Sequence, residues 1–230
     1  MILASLVGLA ASLRGRTRRT CIESYQFPSS LYAALRKHHP ELSAADCHDV
    51  VELLREWFLL CLAARKKFLS MPSQIVDEAW HAFIIDTRAY AQFCGKAFGR
   101  FLHHTPAEAM TTAKSGSRGL RRSWRAALVH EHQDLQRPQR LPRLFAVDER
   151  LKIKNGFRYQ LDCSRSNGAG GYCGMHLGGP SCGAGGCAAG GCGLGSESAD
   201  FFSGWFGGGD SGASADGGGG SGCGGGCGGD

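Results

Sequence analysis

The sequence predicts a mainly α protein: a small helical bundle with a short β or irregular C-terminal portion, followed by a disordered Gly/Cys-rich tail. Three observations carry this. A capping-box pattern at Ser43–Asp46 opens a long apolar helix, and apolar residues recur in alternating steps of four and three from Val76 to Phe101. At residue 166 the composition changes, since all 26 Lys and Arg residues lie before it and 28 of the 35 Gly residues lie after it. The chain therefore reads as residues 1–19, an apolar segment with a basic cluster; residues 20–165, one helical domain; and residues 166–230, a low-complexity tail.

Met1 to Leu13 is apolar and is followed by Arg14, Arg16, Arg18 and Arg19. A secretory signal has its positive charge first, so this order argues against export. As a helix the segment would span roughly 20 Å, short of a hydrocarbon core of about 30 Å. It suits a weak anchor with the arginines held on the cytoplasmic side; a frayed or wrongly assigned start is the alternative. The expected location is cytoplasmic or the cytoplasmic face of a membrane.

The capping box at Ser43, with Asp46 in the usual Glu position, precedes Val50, Leu53, Leu54, Trp57, Phe58, Cys61, Leu62 and Phe68. This predicts a helix of about 25 residues. Its densest run, Trp57–Ala64, is short and flanked by charge, so it reads as core and not as a membrane span. After Pro72 and Ser73 the stripe Val76, Trp80, Phe83, Thr87, Tyr90, Cys94, Ala97 and Phe101 predicts one further helix packed antiparallel on its neighbour. Gly95 and Gly99 allow that helix to end as early as Cys94.

Thr105-Pro106-Ala107-Glu108 supplies a cap, a proline at the first helical position and an acid, so another helix is expected there. Lys114–Gly119 is expected to interrupt it. A basic amphipathic stretch then runs from Leu120 to about His132, with Arg118, Arg121, Arg122 and Arg125 on one face and Leu120, Trp124, Ala127 and Leu128 on another. Residues 137–143 look extended, Leu144–Asp148 reads as a short core helix or strand, Asn155-Gly156 as a turn, and Phe157–Leu161 alternates as a strand does. Beyond this the glycines impose an ordering entropy that little apolar surface offsets, so the tail is expected to be disordered.

Charge divides at the same place. The chain up to residue 165 has 26 Lys and Arg against 15 acidic side chains, while the tail has five acids and no Lys or Arg. A basic body of this kind is drawn to phosphate-rich surfaces. The arginine face can contact such a surface with Trp124 at the interface; a solvated helix face is the alternative. An anionic membrane is favoured over nucleic acid, because Met1–Leu13 would already bring the body close to a leaflet. Eleven cysteines, an odd number at irregular spacing without an export signal, predict free thiols in a reducing compartment.

The block Val76-Asp-Glu-Ala-Trp-His81, continued through Asp86–Tyr90, Phe93-Cys94 and Phe98–Pro106, resembles the glycine-rich domain-containing protein-like family. Members of that family place a V-D-x-x-W-H helix before a Tyr, a Cys and a later His. The resemblance implies Asp77, Trp80, His81, Tyr90, Cys94 and His103 as the recurrent polar positions, and it implies no activity, since the bacterial members it most resembles have none assigned. Some relatives carry a second His shortly after the W-H pair. Here Ala82, Phe83 and Ile84 follow, which departs from a two-histidine helical metal site.

Asp77 and His81, four apart, share a helical face, and an Asp that accepts from the imidazole leaves its other nitrogen for a metal or a proton. His103 or His104 could return to supply a second ligand and Cys94 a third, a set suited to zinc. On one continuous helix Cys94 lies about 220° around from His81, so the two would not face the same side. The alternative is a structural Asp–His pair, with buried Trp80 and Cys94 holding helices together.

In the tail, Cys182, Cys187 and Cys192 recur every five residues and Cys223 and Cys227 are four apart, but none forms a C-x-x-C knuckle. Flexible thiol or metal capture and an inert low-complexity polymer both fit. Phe201–Phe206 is the one apolar island, suited to docking on the body, a partner protein or a bilayer. Gly209-Asp-Ser-Gly212 imitates a serine-protease nucleophile without a scaffold around it, and no strand precedes any G-x-G-x-x-G. No nucleophile–base constellation is legible, so the expectation is a non-enzymatic helical module, loosely membrane-associated, that presents an interaction tail. The alternative is a metal-binding or thiol-redox protein using His81, His103 and Cys94 or the tail cysteines.

Overall fold

The computed structural model describes residues 2–65, 67–104, 113–161, 172–173 and 177. Within them the protein is mainly α, as the periodicity predicts, with seven helices and one pair of two-residue strands. The chain divides into two units, Met1–Leu194 and Gly195–Asp230, and every described residue belongs to the first.

α1 (Ile2–Glu23) runs without a break through the apolar segment, the basic cluster and the expected division between residues 19 and 20. Among the described residues no helix is long and apolar enough to cross a membrane. Ile22 is fully buried, and Arg55 closes the helix end by donating from Nη1 to the Ile22 and Tyr25 carbonyls at 2.6 and 2.9 Å. These are acceptors that a helix C-terminus would otherwise leave without partners. α2 (Ser29–His38) follows Pro28, buries Leu31 and Leu35, and was not among the elements read from the sequence.

α3 (Ala44–Ala64) begins with the capping box realised in both directions: Asp46 N donates to Ser43 Oγ at 3.1 Å and Ser43 N to Asp46 Oδ2 at 3.0 Å. It packs against α1, α2, α4 (Gln74–Ile85), α6 (Ala113–His130) and α7 (Arg143–Arg150), so it is apolar on most of its circumference. Phe58 on α3 meets Phe93 at 4.9 Å between ring centroids, and Phe83 meets Phe93 at 5.4 Å. Tilted and edge contacts of this kind add to the burial of the rings themselves.

The predicted helix after Ser73 is two helices. α4 ends and α5 (Thr87–Phe98) begins at Asp86, whose ψ of 70° leaves the helical region and whose carboxylate accepts from Ala89 N at 3.2 Å. An Asp at this point caps the second helix as readily as it would continue the first. The apolar stripe survives because each half is in phase with the core: Val76, Trp80, Phe83, Tyr90, Cys94 and Ala97 are buried, whereas Thr87 at the break and Phe101 past the end are exposed. α5 stops at Gly99, which adopts φ 68°, and a side chain there would run into the Arg18 guanidinium.

α6 also departs from expectation, since it continues through Gly116 and Gly119 where an interruption was predicted. The predicted helix start at Thr105 lies outside the described residues. Leu120, Trp124, Ala127 and Leu128 are buried as the amphipathic pattern requires. α7 is a helix, and its Phe145 joins Trp124 and Tyr159 in a second aromatic group with centroids 5.0 and 4.8 Å apart. β1 (Tyr159–Gln160) pairs in parallel with β2 (Tyr172–Cys173), so ordered pairing, together with buried Leu177, reaches past residue 165. The tail expectations, namely disorder, the cysteine clusters from Cys182 onward and Phe201–Phe206, lie outside the described residues.

Candidate metal centre

The site begins at the N-terminus of α4. Ser73 caps that helix, accepting from Val76 N at 3.3 Å and donating from Oγ to Asp148 Oδ1 at 2.7 Å. The buried Asp148 carboxylate of α7 also accepts from Gln74 N at 2.7 Å, Ile75 N at 3.3 Å and Phe157 N at 2.8 Å. Burial pushes the Asp148 carboxyl up while these four donors pull it down. The first turn of α4 is thereby held in one place, and Asp77 with it.

A second device places the other side of the site. The Tyr90 hydroxyl of α5 accepts from Trp80 Nε1 of α4 at 3.1 Å and donates to the Leu102 carbonyl at 2.5 Å. The Cys94 thiol lies beside that hydroxyl and the Leu102 backbone. Tyr90 and Cys94 are fully buried, and burial raises the pKa of both. Together they grip the segment after α5 and bring it back across α4.

The result is a three-residue cluster. His104 Nε2 is 2.8 Å from Asp77 Oδ1, and His81 Nδ1 is 3.4 Å from Asp77 Oδ2. The two imidazoles meet edge to face at 4.2 Å, and Trp80 packs against the His104 ring at 4.6 Å. Potential ligand atoms of Asp77, His81 and His104 all lie within 4.8 Å of one another. Each side chain is between 11% and 17% exposed, so the cluster is largely shielded but still reachable by solvent. Burial lowers the His81 pKa and the adjacent His104 adds to this, while Asp77 opposes it; the balance favours the neutral imidazole.

Of the residues proposed from the sequence, the structure gathers His81 with its partner Asp77, and it brings in His104. The neighbouring His103 is exposed and its ring lies 4.9 Å from Phe101. Cys94 is on a different helix from His81, because Asp86 divides the predicted one, and it touches Tyr90 and Leu102. Its thiol is taken up by that contact, and the ligand-capable atoms that converge are those of Asp77, His81 and His104. Tyr90, Trp80 and Cys94 thus support the cluster without belonging to it.

Sequence reasoning missed the couple beneath the site. His39 Nε2 contacts the buried Glu78 Oε2 at 2.6 Å and its Nδ1 contacts Glu41 Oε1 at 3.2 Å, which raises the His39 pKa, chiefly through Glu78. This ties the end of α2 to α4 one residue from Asp77. The contact spans 39 residues of sequence, and no local pattern announces it.

A family model described as UCP032817-like matches residues 17–177. That match corrects the resemblance to the glycine-rich domain-containing protein-like family: the matched region is the helical body, and the family is a different one. No curated protein and no solved structure matches the chain.

Proposed function

We propose that this chain, which belongs to the UCP032817-like family, is a helical module that holds a divalent transition-metal ion at Asp77, His81 and His104. The observation that carries this reading is the convergence of two imidazoles and a carboxylate, with ligand-capable atoms within 4.8 Å, from two chain segments that buried hydrogen bonds hold together. Ligands about 2.0–2.1 Å from a tetrahedral zinc lie roughly 3.3 Å apart, against contacts of 2.8 and 3.4 Å to the two Asp77 oxygens and a spread of at most 4.8 Å over the set, so binding needs side-chain shifts of up to about 1.5 Å. Two imidazoles and one carboxylate suit zinc and its borderline neighbours, and disfavour magnesium and calcium, which prefer oxygen shells. Three protein ligands leave a position for water or an added ligand. The free thiols Cys21, Cys47, Cys61 and Cys94 support a reducing compartment such as the cytoplasm.

The test is metal analysis of the full chain, prepared without a metal-binding tag and loaded with zinc or with cobalt as a spectroscopic probe. One equivalent of ion should remain after dialysis and be lost in His81→Ala and in His104→Ala. The bound cobalt should show no sulfur-to-metal charge transfer. Metal retained equally by both variants, or by none of the three proteins, refutes the site.

A further inference from the structure

We propose a second, independent surface: a basic patch centred on exposed Phe68 that docks the protein on an anionic phospholipid bilayer. Its parts are distant in sequence and meet through the fold. Arg122 on α6 donates from Nη1 to the Phe68 carbonyl at 3.3 Å, and buried Ser123 donates to the Ser70 carbonyl at 2.6 Å. These bonds lay the connection between α3 and α4 along α6. At Gly119 the approach is so close that an added Cβ would lie 2.8 Å from the Phe68 ring. Arg100, just past α5, donates to the Arg65 carbonyl at 3.0 Å and so brings its own charge to the same edge.

Arg65, Lys67, Arg100, Arg118 and Arg122 therefore lie on the segments that meet at a phenylalanine that is 39% exposed. Among the described residues none of the five is in an ion pair with a carboxylate. The carboxylates paired with arginine are engaged elsewhere: Glu23 with Arg19, Glu52 with Arg55, Glu131 with Arg140, Glu56 with Arg143, and Asp49 with Arg143 and Arg150. Cations on adjoining segments that have no carboxylate partner among the described residues repel one another, and an anionic counter-surface relieves that repulsion.

The chemistry on offer selects the partner. The patch presents cations and an apolar ring, and its buried serine is already bonded inward. Phosphate headgroups above an acyl layer match those two chemistries in that order, the cations meeting the phosphates and the ring entering the interface.

Co-sedimentation of the full chain with vesicles tests the proposal, using phosphatidylcholine alone and phosphatidylcholine mixed with phosphatidylserine. Binding to the mixed vesicles only is expected, and it should weaken as salt rises. Each cation near an anionic leaflet changes partitioning about fivefold, so the double variant Lys67→Gln/Arg118→Gln should bind roughly 25-fold less tightly. Phe68→Ser should weaken binding several-fold without altering the salt dependence, and Arg36→Gln/Lys37→Gln on α2 should leave binding unchanged. Thermal melts confirm that each variant folds. No binding, equal binding to both vesicle types, or undiminished binding by the double variant overturns the proposal. So does tighter binding to a single-stranded RNA at the same salt, lost in that same variant. None of these outcomes depends on whether the metal centre is real.

Discussion

The Tyr90 hydroxyl bonds to α4 through Trp80 and to the Leu102 carbonyl two residues before His104, so with Cys94 it holds the segment that brings that imidazole to Asp77. Tyr90→Phe takes the partner from the buried Trp80 Nε1 and from the partly buried Leu102 carbonyl, a cost of about 1–3 kcal/mol, and loosens the segment that carries His104. We expect zinc affinity to fall at least about tenfold while helicity is kept, the size usual for outer-shell changes. Calorimetric titration decides it, and unchanged affinity would show that His104 is placed by something else. Glu56 is the other residue whose surroundings predict behaviour. Burial, helped by Glu131 and Asp49, pushes its pKa from 4.5 up to about 7, against Arg143 at 3.6 Å. The folded state thus holds a proton that the unfolded chain has lost. Its stabilisation is complete below pH 4.5 and disappears as pH rises through about 7. Glu56→Gln should therefore gain on the parent protein across that window, by on the order of 2 kcal/mol. Urea titrations at pH 5 and pH 8 measure the change, and a constant difference between the two proteins contradicts it.

Helix boundaries here follow from caps where the cap is local and from packing where it is not. The start of α3 was legible because Ser43 and Asp46 satisfy each other within four residues. The break between α4 and α5 was not, since Asp86 fits either a helix interior or a cap, and only the direction of the following chain chooses between them. Gly119 illustrates the converse error. In isolation a glycine suggests a weak point, yet in α6 it permits contact, because a Cβ there would run into Ser70 Oγ and lie 2.8 Å from the Phe68 ring. Gly119→Ala gains about 1 kcal/mol of helix propensity and meets an overpacking cost of about 1–3 kcal/mol. The expected result is a lower melting temperature with unchanged helicity. A more stable variant would mean that Ser70 and Phe68 move aside freely.

At the scale of the whole molecule, what the sequence determined by itself is whatever repeats over a few residues: the helical class, the α3 cap, the amphipathic face of α6 and the Asp77–His81 pair four residues apart. Helical periodicity and capping bonds act within one or two turns, so they can be read from neighbours along the chain. The choice of His104 over its neighbour His103, the buried His39–Glu78 couple, the pinning of α4 by Asp148 and the meeting of Arg65, Arg100 and Arg122 around Phe68 were decided by tertiary structure alone. Each joins residues far apart in the chain or selects between adjacent ones by the path of a loop. Such a path is set by which buried polar groups must find partners once the helices have packed, a condition that does not exist until the core has formed.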